Sequence, residues 1–206
     1  LKKNKLYSKE KCMGKYVKKN ISFDSINSFE LNSSNFIIDL ANNSIKEKGF
    51  FSIVLCGGGT PKNIYSMLKQ MDTDWTKWNI FFGDERCLPI NDKDRNSFMA
   101  KEAFLDHVAI PTDQIFYMDA ELGNIRAAKN YNKLLLDKGD FDLVLLGFGE
   151  DGHTASLFPG HNFTNDEDTI AVTNAPKPPS EGVSLTPKRL SRANVVLFLI
   201  TGANKQ

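Results

Sequence analysis

The sequence predicts an α/β protein: an open, doubly wound, mostly parallel sheet of Rossmann-like type, with helices on both faces and a small edge excursion. Short apolar runs of strand character recur along the chain, and stretches of helical periodicity separate them. Several of these runs empty into loops rich in glycine and ionisable residues. Strands alternating with amphipathic helices imply right-handed βαβ units and parallel pairing.

The first 28 residues are rich in lysine and asparagine and weakly patterned, so they read as a solvated, basic lead-in. Residues 29–206 read as one α/β domain. Helical spacing begins at Ser33 or Ser34 as cap, continues through Phe36, Ile37, Leu40, Ala41 and Ile45, and ends at Gly49. Phe51–Leu55 is the first strand of the alternation. It runs into Gly57, Gly58 and Gly59, and then Thr60 and Pro61 open a helix carrying Ile64, Met67, Leu68 and Met71. Trp78–Phe82 is the next strand, with Gly83, Asp84, Glu85 and Arg86 as its exit. A helix near 96–108 follows, with Phe98, Phe104, Leu105 and Val108 inward. Residues 115–118 form a further strand, and Ile125, Ala128, Tyr131, Leu134 and Leu135 form the apolar face of the helix after it. Strands are then expected at 141–146, Thr169–Val172 and 194–201. The stretch between Pro159 and Pro187 breaks the rhythm and is where the edge excursion is expected.

Net charge is +1 with a pI near 7.8, so no global field points to nucleic acid or to an acidic membrane. An anionic ligand must therefore be held by local cations. No apolar run of about 18 residues is present, which excludes a spanning helix, and the first twenty residues lack a secretory h-region. Cys12, Cys56 and Cys87 are scattered, so neither a disulfide framework nor a zinc site is expected, and a reducing, cytoplasmic compartment is the default. With three histidines and no H-E-x-x-H, a metal site is not expected. The chain begins on leucine and stops one residue after Lys205, and it reads as a piece of something longer.

The stretch 141–160, FDLVLLGFGEDGHTASLFPG, draws the most attention. Gly147, Gly149 and Gly152 spell the dinucleotide pattern G-x-G-x-x-G, but two features argue against that use. At least three βα units precede it, and Pro159 and Gly160 break the helix that should follow. The loop instead sets Asp151, Gly152 and His153 at a strand's carboxyl end, where ligands bind in open α/β sheets. His153 is the candidate general base, since an imidazole titrates near neutral pH without a metal, and Asp151 is placed to orient it. The loop at 57–62, GGGTPK, is not a Walker A motif, yet Gly58, Gly59 and Thr60 offer N–H groups and a hydroxyl at a helix start, where phosphate binds well. Arg86 and Lys205 follow two other strands. Together these strand ends describe a site for a small phosphorylated molecule acted on by a base.

LCGGGTPKNIY, FFGDERCLP, the 141–160 block, PKPP at 176–179 and FLITGANK occur in an order that resembles the 6-phosphogluconolactonases, within the wider glucosamine-6-phosphate deaminase/isomerase superfamily. The resemblance covers about residues 30–206 and implies a sheet of the lactonase type. It also implies hydrolysis of 6-phospho-D-glucono-1,5-lactone, a small-molecule sugar-phosphate lactone, with no metal or organic cofactor. On that resemblance His153 is the base for water and Asp151 its partner. Arg86 and Lys205 are phosphate ligands helped by Gly58, Gly59 and Thr60, Asp84 orders the shell, and Gly152 belongs to the substrate-binding turn. In some protozoan members the domain is fused to glucose-6-phosphate dehydrogenase, and a fusion partner is compatible with the abrupt end.

Two departures stand out. The family loop G-G-S-T-P has Gly59 where serine is usual, and the arginine expected in P-P-x-R-V-T-L-T is Gly182. Either Arg189 or Lys177 is then expected to supply the missing cation, or binding is weaker. Two rival readings remain. One is the deaminase/isomerase branch, which usually follows its D-G-H turn with I-A-F-N rather than TASLF. The other is a catalytically silent sugar-phosphate sensor.

Overall fold

The computed structural model describes residues 4–12, 15–163 and 166–202. Among these, nine strands make two sheets, and five α-helices accompany them. The strands are β1 (Asn4–Cys12), β2 (Lys15–Phe23), β3 (Phe51–Leu55), β4 (Trp78–Phe82), β5 (Asp84–Arg86), β6 (Leu143–Gly147), β7 (Thr169–Val172), β8 (Gly182–Leu185) and β9 (Val195–Ile200). The helices are α1 (Ile26–Lys48), α2 (Gly59–Leu68), α3 (Asn96–Ala103), α4 (Asn124–Leu135) and α5 (Pro187–Ser191).

The main sheet runs β2-β1-β9-β6-β3-β4, with β9, β6, β3 and β4 parallel and the β1–β2 pair antiparallel at one edge. Every side chain of β3 is buried. Successive strand residues point to opposite faces, so both faces of this strand are covered. The aromatic rings divide the same way. Trp78 packs on Phe51 and Trp75 on one face, while Phe81, one residue off in parity from Trp78, packs on Phe116 and Phe141 on the other. A mostly parallel sheet with helices is therefore the observed class, as the strand–helix alternation predicts.

The edge excursion is a separate antiparallel sheet, β5-β8-β7, in which Asp84 pairs with Ser184 and Arg86 with Gly182. Its first strand leaves β4 through Gly83 alone, so this sheet grows directly from the carboxyl edge of the larger one.

Several expectations need correction. The lead-in, weakly patterned in sequence, is regular in structure: β1 and β2 pair antiparallel, and β1 pairs with β9. Residues 115–118 make no strand; a single bridge, Ile80 to Ile115, replaces it, and a one-turn helix (Thr112–Gln114) takes up the preceding residues. Helix α1 starts at Ile26 rather than near Ser33. Ser25 is its cap, accepting the Ser28 N–H at 3.1 Å, while the Ser33 and Ser34 hydroxyls donate to the carbonyls of Phe29 and Glu30 inside the helix. Helix α3 ends at Ala103, with a separate turn at Leu105–His107. Ile125 is 75% exposed, and Ala127 occupies the buried place assigned to it.

Candidate functional site

Strand β3 connects forward to β4 on one side of itself, while β6 lies on its other side. The loops leaving β3 and β6 must therefore part, and a crevice opens at such a switch point. The cleft there measures about 230 Å³ and is lined by Gly57–Thr60 from β3, Asp84 and Arg86 beyond β4, Gly147–Gly149 and His153 after β6, and Asn96 of α3. Parallel pairing sets these ends level: Leu55 aligns with Phe82, and Gly147 with Leu199.

The turn after β6 closes on itself. The Gly149 N–H donates to the His153 carbonyl at 2.8 Å, the Gly152 N–H to the Gly149 carbonyl at 3.1 Å, and the Thr154 hydroxyl to the Gly147 carbonyl at 2.8 Å. The glycine spacing has a local cause. A Cβ on Gly149 would run into the His153 ring and the Asp151 carboxylate, and Gly152 sits at φ +86°, where only glycine is unstrained. The pattern that resembles a dinucleotide loop thus serves to seat a histidine.

His153 Nδ1 is hydrogen-bonded to Asp151 Oδ1. That bond holds the Asp151 carboxyl below its usual range. An ionised carboxylate only accepts, so Nδ1 carries the hydrogen of this bond, and in a neutral ring that leaves Nε2 as the nitrogen with the lone pair. The His153 side chain is 25% exposed and its ring lies 4.9 Å from that of Phe158. The ring is thus held on one side by an acid and an aromatic and remains open to the cleft. Ala155, two residues on, adopts φ +48°, an unfavourable backbone for alanine of the kind that gathers at functional sites.

Asp84 Oδ1 accepts from Asn96 Nδ2 at 3.0 Å and Oδ2 from the Ser156 hydroxyl at 2.6 Å. Burial pushes this carboxyl up to about 6, opposed by the Ser156 hydrogen bond. Glu85 is 1% exposed and accepts the N–H groups of Arg86 (2.9 Å), Asn96 (2.8 Å) and Ser97 (2.9 Å), with Arg95 Nε at 3.4 Å. The adjacent Arg86 is exposed at the cleft, its Nη1 donating to the Asp94 carbonyl at 3.0 Å.

Gly58 caps α2 at φ +112°, Gly59 is its first residue, and the Thr60 hydroxyl is bonded to that of Thr201 at 2.7 Å. This bond ties the glycine loop to the end of β9. The structure therefore gathers His153, Asp151, Gly152, Gly58, Gly59, Thr60, Asp84 and Arg86 on neighbouring loops. Lys205 lies outside the described residues.

Of the two cations considered for Gly182, Arg189 is excluded by position. It is 1% exposed, donates to the carbonyls of Lys138 (3.1 Å) and Gly139 (2.8 Å), and lies 4.3 Å over the Phe141 ring. Lys177 instead lines a smaller hollow of about 100 Å³ together with Asp84, Arg86, His153 and Gly182. Gly182 itself sits close to the chain it pairs with: a Cβ there would meet the Glu85 carbonyl at 3.0 Å.

Glu85, Asn96 and Ser156 are the contributors that the sequence reading missed. Glu85 looks like one half of a surface ion pair and Asn96 like an ordinary helix opener. Ser156 lay inside the TASLF block with no role of its own. A larger hollow, about 560 Å³, lies between His161–Phe163 and Ile170–Asn174 and contains none of the site residues.

Comparison with known proteins gives a consistent result. The family model for glucosamine-6-phosphate isomerases/6-phosphogluconolactonase matches residues 27–206. A rice protein named probable 6-phosphogluconolactonase 4, chloroplastic, is 34% identical over 202 residues, covering 89% of this chain and 62% of its own length. The 6-phosphogluconolactonase of Synechocystis is 38% identical over 174 residues, covering 79% of this chain and 71% of that protein. Among solved structures, the Thermotoga maritima 6-phosphogluconolactonase superposes with a TM-score of 0.75 at 27% identity, covering 79% of this chain and 75% of that one. The Trypanosoma brucei enzyme gives 0.72 at 28% identity, covering 82% and 76%. The chain spans about 62% of the length of the rice relative.

Proposed function

The chain belongs to the glucosamine-6-phosphate isomerase/6-phosphogluconolactonase family, and from that premise we propose that it hydrolyses 6-phospho-D-glucono-1,5-lactone to 6-phospho-D-gluconate. The observation that carries the reading is the His153–Asp151 pair, set at the switch-point cleft beside a phosphate-sized glycine turn and Arg86.

The reaction needs a nucleophilic water, a place for charge on the carbonyl oxygen and a proton for the leaving ring oxygen. His153 Nε2 takes a proton from water as it attacks C1 of the lactone, forming a tetrahedral intermediate. Asp151 stabilises the imidazolium that results. Collapse of the intermediate breaks the bond between C1 and the ring oxygen, and the imidazolium returns its proton to that oxygen. This gives the open carboxylic acid and regenerates neutral His153. The phosphate lies against Arg86 and the N–H groups at the start of α2, where the helix dipole and guanidinium both favour an anion. Lys205, expected from the resemblance, joins that shell in the proposal. Lys177 is the candidate to supply the charge absent at Gly182, because it lines the hollow that adjoins the site. No step calls for a metal.

The decisive measurement is acid release from freshly prepared lactone above the spontaneous rate, using the full-length protein. Rapid turnover is expected, and turnover at the spontaneous rate overturns the reading. Ammonia release from glucosamine 6-phosphate assigns the chain to the other branch of its family. Arg86→Ala is expected to raise KM about 10-fold or more with a smaller change in kcat. An unchanged KM removes Arg86 from the phosphate shell.

A further inference from the structure

Helix α3 contributes to the cleft through its first residue, and the way that residue is held is unusual for a helix start. The preceding residue, Arg95, makes no side-chain cap. Capping is done from outside by Glu85 of β5, which accepts the N–H groups of Asn96 and Ser97 at 2.8 and 2.9 Å. Asn96 stands one residue past the cap position, so its side chain has no helix end to cap and is free for other partners. It turns towards the cleft, where Nδ2 donates to both the carbonyl and Oδ1 of Asp84, each at 3.0 Å.

The other end of the same amide meets the glycine loop. A Cβ on Gly57 would overlap Asn96 Oδ1. Gly57 does not adopt a positive φ, and the atoms that a side chain there would meet are those of the Asn96 amide. One amide therefore touches two walls of the cleft: the turn after β3 and the carboxylate beyond β4.

We propose that Asn96 is the positioning residue of this site, fixing the Asp84 carboxylate and the spacing between it and the Gly57–Gly59 turn. Asp84 has Oδ1 committed to Asn96 and Oδ2 to Ser156 at 2.6 Å. Two donors on two oxygens set the plane of the carboxylate, which lines the cleft and has accepting capacity to spare. Such a group accepts hydrogen bonds from sugar hydroxyls at a fixed distance from the phosphate turn. Asn96 acts through Asp84 and the loop, so it influences how substrate sits more than the proton transfer at His153. This deepens the lactonase reading and rests on it for its kinetic consequence.

The test has a kinetic arm and a thermal arm. Asn96→Ala is expected to raise KM for the lactone about 10-fold with kcat within about 2-fold. In an Asp84→Ala background it should add less than about 2-fold, because the residue it positions is gone. Equal KM effects in the two backgrounds, or a loss confined to kcat, overturn the proposal. The thermal arm does not depend on substrate. Gly57→Ala alone should lower Tm by about 4 °C, and by less than half of that when Asn96 is also alanine, since the extra methyl then has room. A Gly57→Ala penalty that is the same in both backgrounds overturns the contact on which the proposal stands. If the wild type does not hydrolyse the lactone while the thermal coupling holds, the assigned reaction falls and the Asn96–Gly57 geometry stands.

Discussion

At the scale of single residues, the proposed chemistry depends on a ring oriented by one hydrogen bond, from His153 Nδ1 to Asp151. In the proposed reaction Asp151 accepts from Nδ1 and Nε2 is the atom that takes the proton, which separates the jobs of the two residues. His153→Ala is expected to reduce kcat about 10²- to 10⁴-fold, the usual contribution of a positioned base, with substrate binding largely kept. Asp151→Asn should cost less, about 10- to 100-fold in kcat, because the ring keeps a hydrogen-bonding neighbour but loses the charge that stabilises the imidazolium. Gly149→Ala probes the seat of the ring. A methyl there displaces His153, and a shift of about 1 Å at a reacting group costs roughly 100-fold, so kcat should fall without any change in titratable groups. Steady-state kinetics on the three variants checks this order. The placing of His153, Asp151 and Gly152 on one turn after a strand was legible in the sequence, because a strand, a glycine turn and an acid two residues from an imidazole are all local features. Glu85 and Asn96 were not legible, because their partners lie across a chain reversal that no spacing rule reports.

At the scale of elements, the parallel strands were readable because their apolar runs are short, continuous and bounded by turn residues. The failures have local physical reasons. Residues 115–118 are apolar enough for a strand, but the chain has only one bridge to Ile80 before it turns away. The start of α1 was placed too late because Ser33 and Ser34 look like caps; their hydroxyls instead bond back to the preceding turn, and Ser25 is the residue that caps. Ser25→Ala should therefore cost about 1 kcal/mol, a Tm decrease of about 2–4 °C by calorimetry, with kcat/KM unaffected. Arg189 was weighed as a substrate cation, whereas it fastens α5 to the 138–139 carbonyls and to Asp168, with Nη1 at 3.4 Å from that carboxylate. Arg189→Ala should destabilise the fold by about 3 kcal/mol, seen in denaturant unfolding, with KM for the lactone unchanged. Lys177→Ala should do the reverse and raise KM without loss of stability.

At the scale of the whole molecule, the carboxyl edge of the sheet concentrates charge where burial is costly, and the cost shows as a pH dependence. Asp84 is pushed up to about 6, above the ordinary aspartate value of about 3.9 that it takes in the unfolded chain. Between those values the folded state holds a proton that the unfolded state has released. Its contribution to stability is therefore full below about pH 4 and is lost as pH rises through about 6. Asp84→Asn, which removes this term, should match the wild type in Tm near pH 4.5 and exceed it at pH 7.5. Equal differences at both pH values would show that the carboxyl is not perturbed. At the opposite edge, the β1–β2 hairpin pairs with β9 and covers the backbone groups of an apolar strand. Deleting residues 1–23 should leave that edge open and favour self-association, measurable by light scattering.

The α/β class, the loops that leave the parallel strands and the nearness of Asp151 to His153 could all be read from the amino-acid order alone. Each of these rests on interactions between residues close in the chain: periodicity, glycine turns and strand-to-loop boundaries. That β1 and β2 pair and add to β9, that Arg189 is buried away from the cleft with Lys177 beside it, and that Asn96 sits between Gly57 and Asp84 emerges from the folded arrangement. Those outcomes depend on which surfaces meet after the sheet has formed, and contacts between residues tens of positions apart leave no period in the sequence to read.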